Sequence, residues 1–396
     1  MTSAKRWLLP DGVEEILPAE AHKLESLRRQ LLDLYESWGY QMVITPLIEY
    51  LDSLLVGSSH DLELHTFKIT DQLSGRMMGI RADITPQAAR IDAHCLNREG
   101  PVRLCYADNV LHTKPRGIMT SRVPIRIGAE LYGHSGVECD IELVCLMYET
   151  LKAVGISDIH IVLGHVGIFR SLLQEAKLDE DTEQTLFEAV QRKAYDEIDE
   201  ILKNSVSEKE LCQMLQRLSR LSGDETILAE ANEVFANAPA SVQAELQELV
   251  EIVEGVKQRL PDIVLCFDLC ELRGYEYHTG IVFAAYTPSY GRAVSKGGRY
   301  DHIGEVFGRA RPASGFDSDL KVLARLSSRV FERRAAIIAP GDGDVDLFAL
   351  VKSLREQGEV VITTLGDDEL SEQHRQELNC DRKLVKRDGK WIVDSL

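Results

Sequence analysis

The sequence predicts an α+β chain: an antiparallel sheet with flanking helices, interrupted by a helical insert and followed by a small C-terminal α/β unit. Three observations carry this expectation. Between residues 41 and 163, short strand-like runs are separated by polar turns, with few helices alternating between them. From about Gly167 to Leu260 the pattern becomes continuous helical periodicity, and glycine and aromatic residues grow sparse. After Leu326, strand and helix patterns alternate at short spacing. The expected domains are residues 1–326, with the insert at about 167–260, and residues 327–396.

In chain order, the turn-rich stretch from Pro10 to Ala19 leads into a helix over 20–37. Leu24, Leu27, Leu31 and Leu34 form its stripe, facing a core or a dimer partner, and Gly39 stands where a helix end prefers glycine. Residues 41–45 read as a strand stopped by Pro46, which cannot donate to a ladder. Residues 66–70 and 76–80 have the grammar of a hairpin. A helix is expected from Pro86, strands at 102–112 and 124–132, a long helix at 140–154 and a strand at 159–163. Beyond the insert, strands are expected at 263–268 and 280–286. Ser295-Lys-Gly-Gly-Arg-Tyr-Asp301 reads as a glycine-rich turn, and Ala313-Ser-Gly-Phe316 leads to another helix. Arg329, Arg333 and Arg334 mark a linker. Strands at 335–339, 360–363 and 383–386 with a helix at 346–357 make up the last unit.

Bulk properties exclude several functions. A net charge of -19 repels polyanions, so extended contact with nucleic acid or an anionic membrane is not expected. No apolar run reaches the roughly 18 residues of a membrane span, and the N-terminus lacks a signal core, so the expected compartment is the cytoplasm. The eight cysteines are scattered through apolar segments and read as reduced core thiols. No phosphate-binding loop is present, and Gly341-Asp-Gly343 reads as a surface turn. Cys266 and Cys270 lack a second pair, so neither a cofactor nor a metal is expected.

An amino-acid pocket is the site the residues permit. Asp83 and Thr85 can accept from an α-ammonium, and Arg273 can hold an α-carboxylate through two parallel bonds. Glu130, Tyr277 and His278 can supply an acceptor and a flat neighbour to an imidazole. Composition alone favours the plainer alternative, in which Arg273 and Glu130 form a buried ion pair and Tyr277 is core.

The motifs Leu272-Arg273-Gly-Tyr-Glu-Tyr277-His278-Thr-Gly280, Lys296-Gly-Gly-Arg-Tyr-Asp301 and Ile127-Gly-Ala-Glu130 resemble the class II aminoacyl-tRNA synthetase core of histidyl-tRNA synthetases. With Arg81-Ala-Asp-Ile-Thr-Pro-Gln87 and Asp108-Asn-Val-Leu-His112, they more closely resemble the HisZ family, the regulatory subunits of short-form ATP phosphoribosyltransferase. The resemblance runs in order from about Pro10 to Leu326. It implies a six-stranded antiparallel class II sheet and a histidine pocket formed by Asp83, Thr85, Arg126, Glu130, Arg273, Tyr277 and His278.

It also implies no catalytic residues in this chain. Leu111 and Val322 stand where an active synthetase keeps ATP-binding arginines, Asp319 replaces a glycine, and Arg126 stands where both families commonly have glutamine. Losing two preorganised cations removes transition-state charge stabilisation. The expected role is therefore a non-catalytic regulatory subunit for the first step of histidine biosynthesis. Its expected partners are the catalytic subunit HisG, histidine as feedback effector, and a second copy within a hetero-octamer. The rivals are an active histidyl-tRNA synthetase and a scaffold module without a histidine link.

Overall fold

The computed structural model describes all residues except 1–6, 56–59, 116–119, 273, 276, 342 and 366–369. The chain divides into two compact units, Met1–Arg329 and Val330–Leu396.

In the first unit, α1 (Pro18–Ser37) starts with proline in its first turn, where the missing N–H is no loss. It buries Leu24, Leu27, Leu31 and Tyr35. Gly39, at φ +84°, follows the helix end. The strand expected at 41–45 shortens to β1 (Gln41–Met42), since the chain must turn before Pro46; β2 (Ile48–Tyr50), α2 (Leu51–Leu54) and α3 (His60–His65) follow. The hairpin forms as β3 (Phe67–Thr70) and β4 (Met77–Ile80), and β2 pairs with the other edge of β4. α4 (Thr85–Arg90) continues into a π-helical turn over Ile91–Leu96.

Next come β5 (Val102–Asn109), β6 (Ile125–Tyr132), α5 (Val137–Val154) and β7 (His160–His165). The insert consists of α6 (Val166–Ala176), α7 (Glu180–Gln191), α8 (Tyr195–Ser205), α9 (Lys209–Leu218), the short β8 (Ser222–Gly223), α10 (Thr226–Val234) and α11 (Ala240–Arg259). The sheet resumes with β9 (Val264–Asp268), β10 (Ile281–Thr287), β11 (Tyr290–Arg299) and β12 (Ala313–Asp319), before α12 (Leu320–Leu326).

The nine-stranded sheet has the order β1-β5-β6-β12-β11-β10-β7-β9-β8. From β5 to β7 all neighbours are antiparallel, which is the six-stranded core that the family resemblance implies. The flanks depart from it, because β1 pairs with β5, and β7 with β9, in parallel.

One expectation is overturned. Ser295 to Arg299 is not a turn but the end of strand β11. Its glycines serve close approach: a Cβ on Gly297 would meet the Phe283 ring at 2.6 Å, and one on Gly298 would lie 2.7 Å from His278. Similarly, Ala313 to Phe316 is strand, and the helix begins only after Asp319, whose side chain accepts from the Lys321 N–H and caps it.

One sheet face packs on helices. Phe316 meets Tyr35 of α1 edge-on at 6.1 Å. Arg299 and Ser314 reach the fully buried Asp140 of α5, with Arg299 Nε at 3.2 Å and Ser314 Oγ at 2.6 Å. The cysteines form no disulfides; most are buried, as the core reading requires, but Cys95 is exposed on the π-helical turn. No helix among the described residues is long and apolar enough to cross a membrane.

The second unit has a four-stranded sheet in the order β14 (Val360–Thr363), β13 (Ala336–Ala339), β15 (Cys380–Arg387), β16 (Lys390–Ser395). α13 (Val345–Glu356) and α14 (Glu372–Glu377) connect its strands. Ile337, Leu347, Val351, Val361 and Leu384 form its core. The turn expected at Gly341-Asp342-Gly343 passes through Asp342, which lies outside the described residues.

Candidate functional site

The sheet face opposite α1 and α5 carries the candidate residues, and strand register decides who meets whom. Tyr106, Gly128, Asp317 and Lys296 form one cross-strand row over β5, β6, β12 and β11. Leu104, Glu130, Gly315 and Gly298 form the next row on the same face, two residues along each strand. Glycines at 128, 315 and 298 make room for the Tyr106 hydroxyl, the Glu130 carboxyl and the His278 ring, respectively. A Cβ at Gly315 would overlap the Glu130 carboxyl group.

Glu130 is buried and fully engaged. Thr85 Oγ1 and Tyr106 Oη each donate to its Oε1 at 2.9 Å, and Tyr300 donates to Oε2. Burial pushes its carboxyl group up to about 8, an effect that outweighs the opposing hydrogen bonds from Tyr300, Tyr106 and Thr85. At neutral pH it is therefore largely protonated. Asp83, half-buried beside Thr85, accepts from the backbone N–H groups of Ile84 at 2.6 Å and Thr85 at 3.1 Å as the chain enters α4.

Arg126 lies two residues along β6 from Gly128. Its Nη1 pairs with Asp317 at 3.4 Å, both side chains being nearly buried. Burial opposes its charge, but Asp317, Asp83 and Asp319 together hold the guanidinium above its ordinary range. Arg126 is thus neutralised chiefly from β12, and Asp83 contributes only to the field.

On the far side, His278 is buried with Nδ1 3.1 Å from the Arg299 carbonyl oxygen. Burial holds its ring down at about 4, so it is neutral; Nδ1–H donates to the carbonyl and Nε2 keeps a lone pair. Tyr277 lies against it with ring centroids 4.3 Å apart. Arg170 of α6 fastens this loop by donating to the carbonyl oxygens of Tyr275 and His278, each at 2.9 Å.

The structure thus brings Asp83, Thr85, Glu130 and Arg126 around one end of the face, and places Tyr277 and His278 at the other. Tyr300 links them, hydrogen-bonded to Glu130 and 6.4 Å from the His278 ring. Arg273 lies outside the described residues. The plainer sequence alternative fails at Tyr277, which is 44% exposed and not core; the hydrogen-bond partners of Glu130 among the described residues are three hydroxyl groups.

Sequence reasoning did not assign Tyr106, Tyr300 and Asp317 to the site. Their signal was register: two residues in a strand share a face, but which strand lies beside them is set by the sheet.

At the positions compared with ATP-binding arginines, the side chains are uncharged. Leu111 donates its backbone N–H to the Arg81 carbonyl oxygen, and Val322 is buried in α12. The face carries Asp83, Glu130 and Asp317 together with Arg126 and Lys296, and its hydroxyl groups are those of Thr85, Tyr106 and Tyr300.

The histidyl-tRNA synthetase family model matches residues 12–323, and the model of the ATP phosphoribosyltransferase subunit HisZ C-terminal domain matches residues 334–394. Relatives from Marinobacter nauticus and Ectopseudomonas mendocina, both called ATP phosphoribosyltransferase regulatory subunit, are 50% and 52% identical, with 100% of this chain and 100% of each relative covered. A crystal structure described as an ATP phosphoribosyltransferase regulatory subunit/histidyl-tRNA synthetase from Bacillus halodurans has a TM-score of 0.82 at 25% identity, covering 96% of this chain and 98% of that one. A histidyl-tRNA synthetase from Nostoc shares the fold, with a TM-score of 0.78 at 19% identity over 98% of this chain and 97% of its own. With a synthetase-type core, a HisZ-type C-terminal domain and full-length relatives at this identity, the chain belongs to the family of ATP phosphoribosyltransferase regulatory subunits.

Proposed function

We propose that this chain, acting as a regulatory subunit, binds histidine on the glycine-lined face between Glu130 and His278 and confers feedback inhibition on a separate short-form catalytic subunit, HisG. HisG would condense ATP with phosphoribosyl pyrophosphate, in the cytoplasm, within a hetero-octamer built on dimers of this chain. The observation that carries the reading is a contrast in residue type. Acceptors for an ammonium group are present at Asp83 and Thr85, with Glu130 hydrogen-bonded to Thr85, while positions 111 and 322 carry no cation for a triphosphate. Arg273 has the chemistry to hold the α-carboxylate. For inhibition to reach HisG, histidine must bind one state of the complex more tightly than the other, since equal affinity shifts nothing.

The test mixes the purified chain with a short catalytic subunit and follows phosphoribosyl-ATP formation with and without histidine. Activation by the chain, together with histidine inhibition that Arg273→Ala weakens, supports the reading. Unchanged rates in the mixture refute it, and histidine-dependent exchange of pyrophosphate into ATP by the chain alone would return it to synthetase chemistry.

A further inference from the structure

A second cluster of ligating side chains lies on the other face of the sheet, where the insert packs against it. His165 ends β7, and Glu245 and Glu248 stand one turn apart on α11, so both carboxylates face the same way. Among the described residues, these three bring one ligand atom each within 4.8 Å of one another. His165 Nε2 is 3.1 Å from Glu245 Oε2 and 3.8 Å from Glu248 Oε1.

Two features distinguish this cluster from an ordinary ion pair. The His165 ring is completely buried, yet among the described residues neither of its nitrogens makes an aligned hydrogen bond. A buried imidazole that merely tethered α11 would be expected to point its N–H along the line to one carboxylate. Here Glu245 Oε2 is close enough but out of line. The His165–Glu245 separation is also one that two ligands of one ion can have, since donor atoms about 2.0–2.1 Å from a tetrahedral zinc lie roughly 3.3 Å from each other.

The surroundings agree. The two carboxylates lie together beside the one buried ring. The cations whose fields reach them are engaged elsewhere, Arg299 by Asp140 and Arg170 by the carbonyl oxygens of Tyr275 and His278. Gly167, next along from β7, leaves the space that Glu245 occupies, because a Cβ there would lie 2.6 Å from its carboxyl carbon. Both glutamates are about one-third exposed, at 28% and 33%, which gives an ion a route in and leaves room for water as a further ligand.

We propose that His165, Glu245 and Glu248 form a binding site for one divalent transition-metal ion of the zinc class, joining the helical insert to β7. One nitrogen and two carboxylate oxygens with an open position suit Zn2+, and also Co2+ as a spectroscopic substitute. No sequence motif announced the site, because its histidine and its glutamates lie at opposite ends of the insert.

The test uses the full chain stripped with a chelator and titrated calorimetrically with Zn2+ alone. One ion per chain is expected, with affinity reduced at least about tenfold in both Glu245→Gln and Glu248→Gln, since loss of even an outer-shell partner has that effect. Co2+ should give the visible absorption of a low-coordinate ion, diminished in the same variants. Absence of stoichiometric Zn2+ binding by the folded chain overturns the proposal. So does binding that persists unchanged in the Glu245→Gln/Glu248→Gln double variant, which would place the ion elsewhere, for instance on cysteine. Because both glutamates are partly exposed, these variants test the site even if His165→Gln fails to fold.

Discussion

Arg126 on β6 and Asp319 on β12 are direct cross-strand partners. The sequence resemblance makes each a departure from the synthetase pattern, a cation for a glutamine and an anion for a glycine, and the register places the two positions opposite each other. With Asp317 paired to the same guanidinium, the substitutions form one compensated charge group. Arg126→Gln should therefore destabilise the chain by about 1–3 kcal/mol, because it leaves nearly buried carboxylates unpaired. Part of that loss should return in the Arg126→Gln/Asp319→Gly double variant. A double-mutant cycle by urea unfolding measures the coupling, and strict additivity would show that the two residues act independently.

Glu130 should make stability fall with rising pH. Its folded carboxyl group titrates at about 8, against 4.5 for an ordinary glutamate, so the folded chain holds the proton more tightly than the unfolded one. The stability this provides is complete below the ordinary carboxyl range and is lost as pH rises through about 8, by at most about 1.4 kcal/mol per pH unit. Glu130→Gln should flatten that segment of the profile in denaturant unfolding followed from about pH 5 to about pH 9. Parallel profiles for the two proteins would mean that Glu130 is ionised throughout.

The same proton should report on histidine. An ammonium group bound beside Glu130 favours the carboxylate, so binding below about pH 8 should release a proton and strengthen as pH rises, by up to about tenfold per unit. Calorimetry in buffers of different ionisation heat reads the proton directly. A binding heat independent of buffer would place the ammonium away from Glu130.

Gly298→Ala tests the His278 side of the face. The added methyl would lie 2.7 Å from both His278 Cε1 and the Ile281 carbonyl oxygen, so the ring and the strand beside it must shift. Histidine affinity should drop at least about tenfold while overpacking costs about 1–3 kcal/mol. Retention of full affinity would exclude His278 from the ligand surface.

The Arg299–Asp140 pair should be among the costliest side-chain contacts to break. Asp140 is fully buried and Arg299 nearly so, with Ser314 also bound to the carboxylate. Asp140→Asn leaves the buried guanidinium only the partly exposed Asp301, 3.6 Å away, as a counter-charge, and a loss of about 3–5 kcal/mol is expected in chemical unfolding. A loss below about 1 kcal/mol would indicate that water replaces the carboxylate.

The sequence by itself determined the elements whose periodicity is local. The stripe of α1, the hairpin of β3 and β4, the helices of the insert and the strand-helix alternation after Arg334 are all written in neighbouring residues. The long ordered run of motifs also named residues that the fold brings together, since Asp83, Thr85 and Glu130 converge. Tertiary structure alone decided what depends on register and close approach. Ser295-Lys-Gly-Gly-Arg299 has turn composition, yet it forms a strand because its glycines leave room for Phe283 and His278. Arg126 finds Asp317 and Asp319, and Glu130 finds Tyr106 and Tyr300, through strand pairing between distant segments. His165 meets Glu245 and Glu248 only after the insert folds back on the sheet. Side-chain periodicity fixes which residues share a face of one element, whereas the partners across that face are set by how elements pack, and there the charges and the protonation of Glu130 are decided.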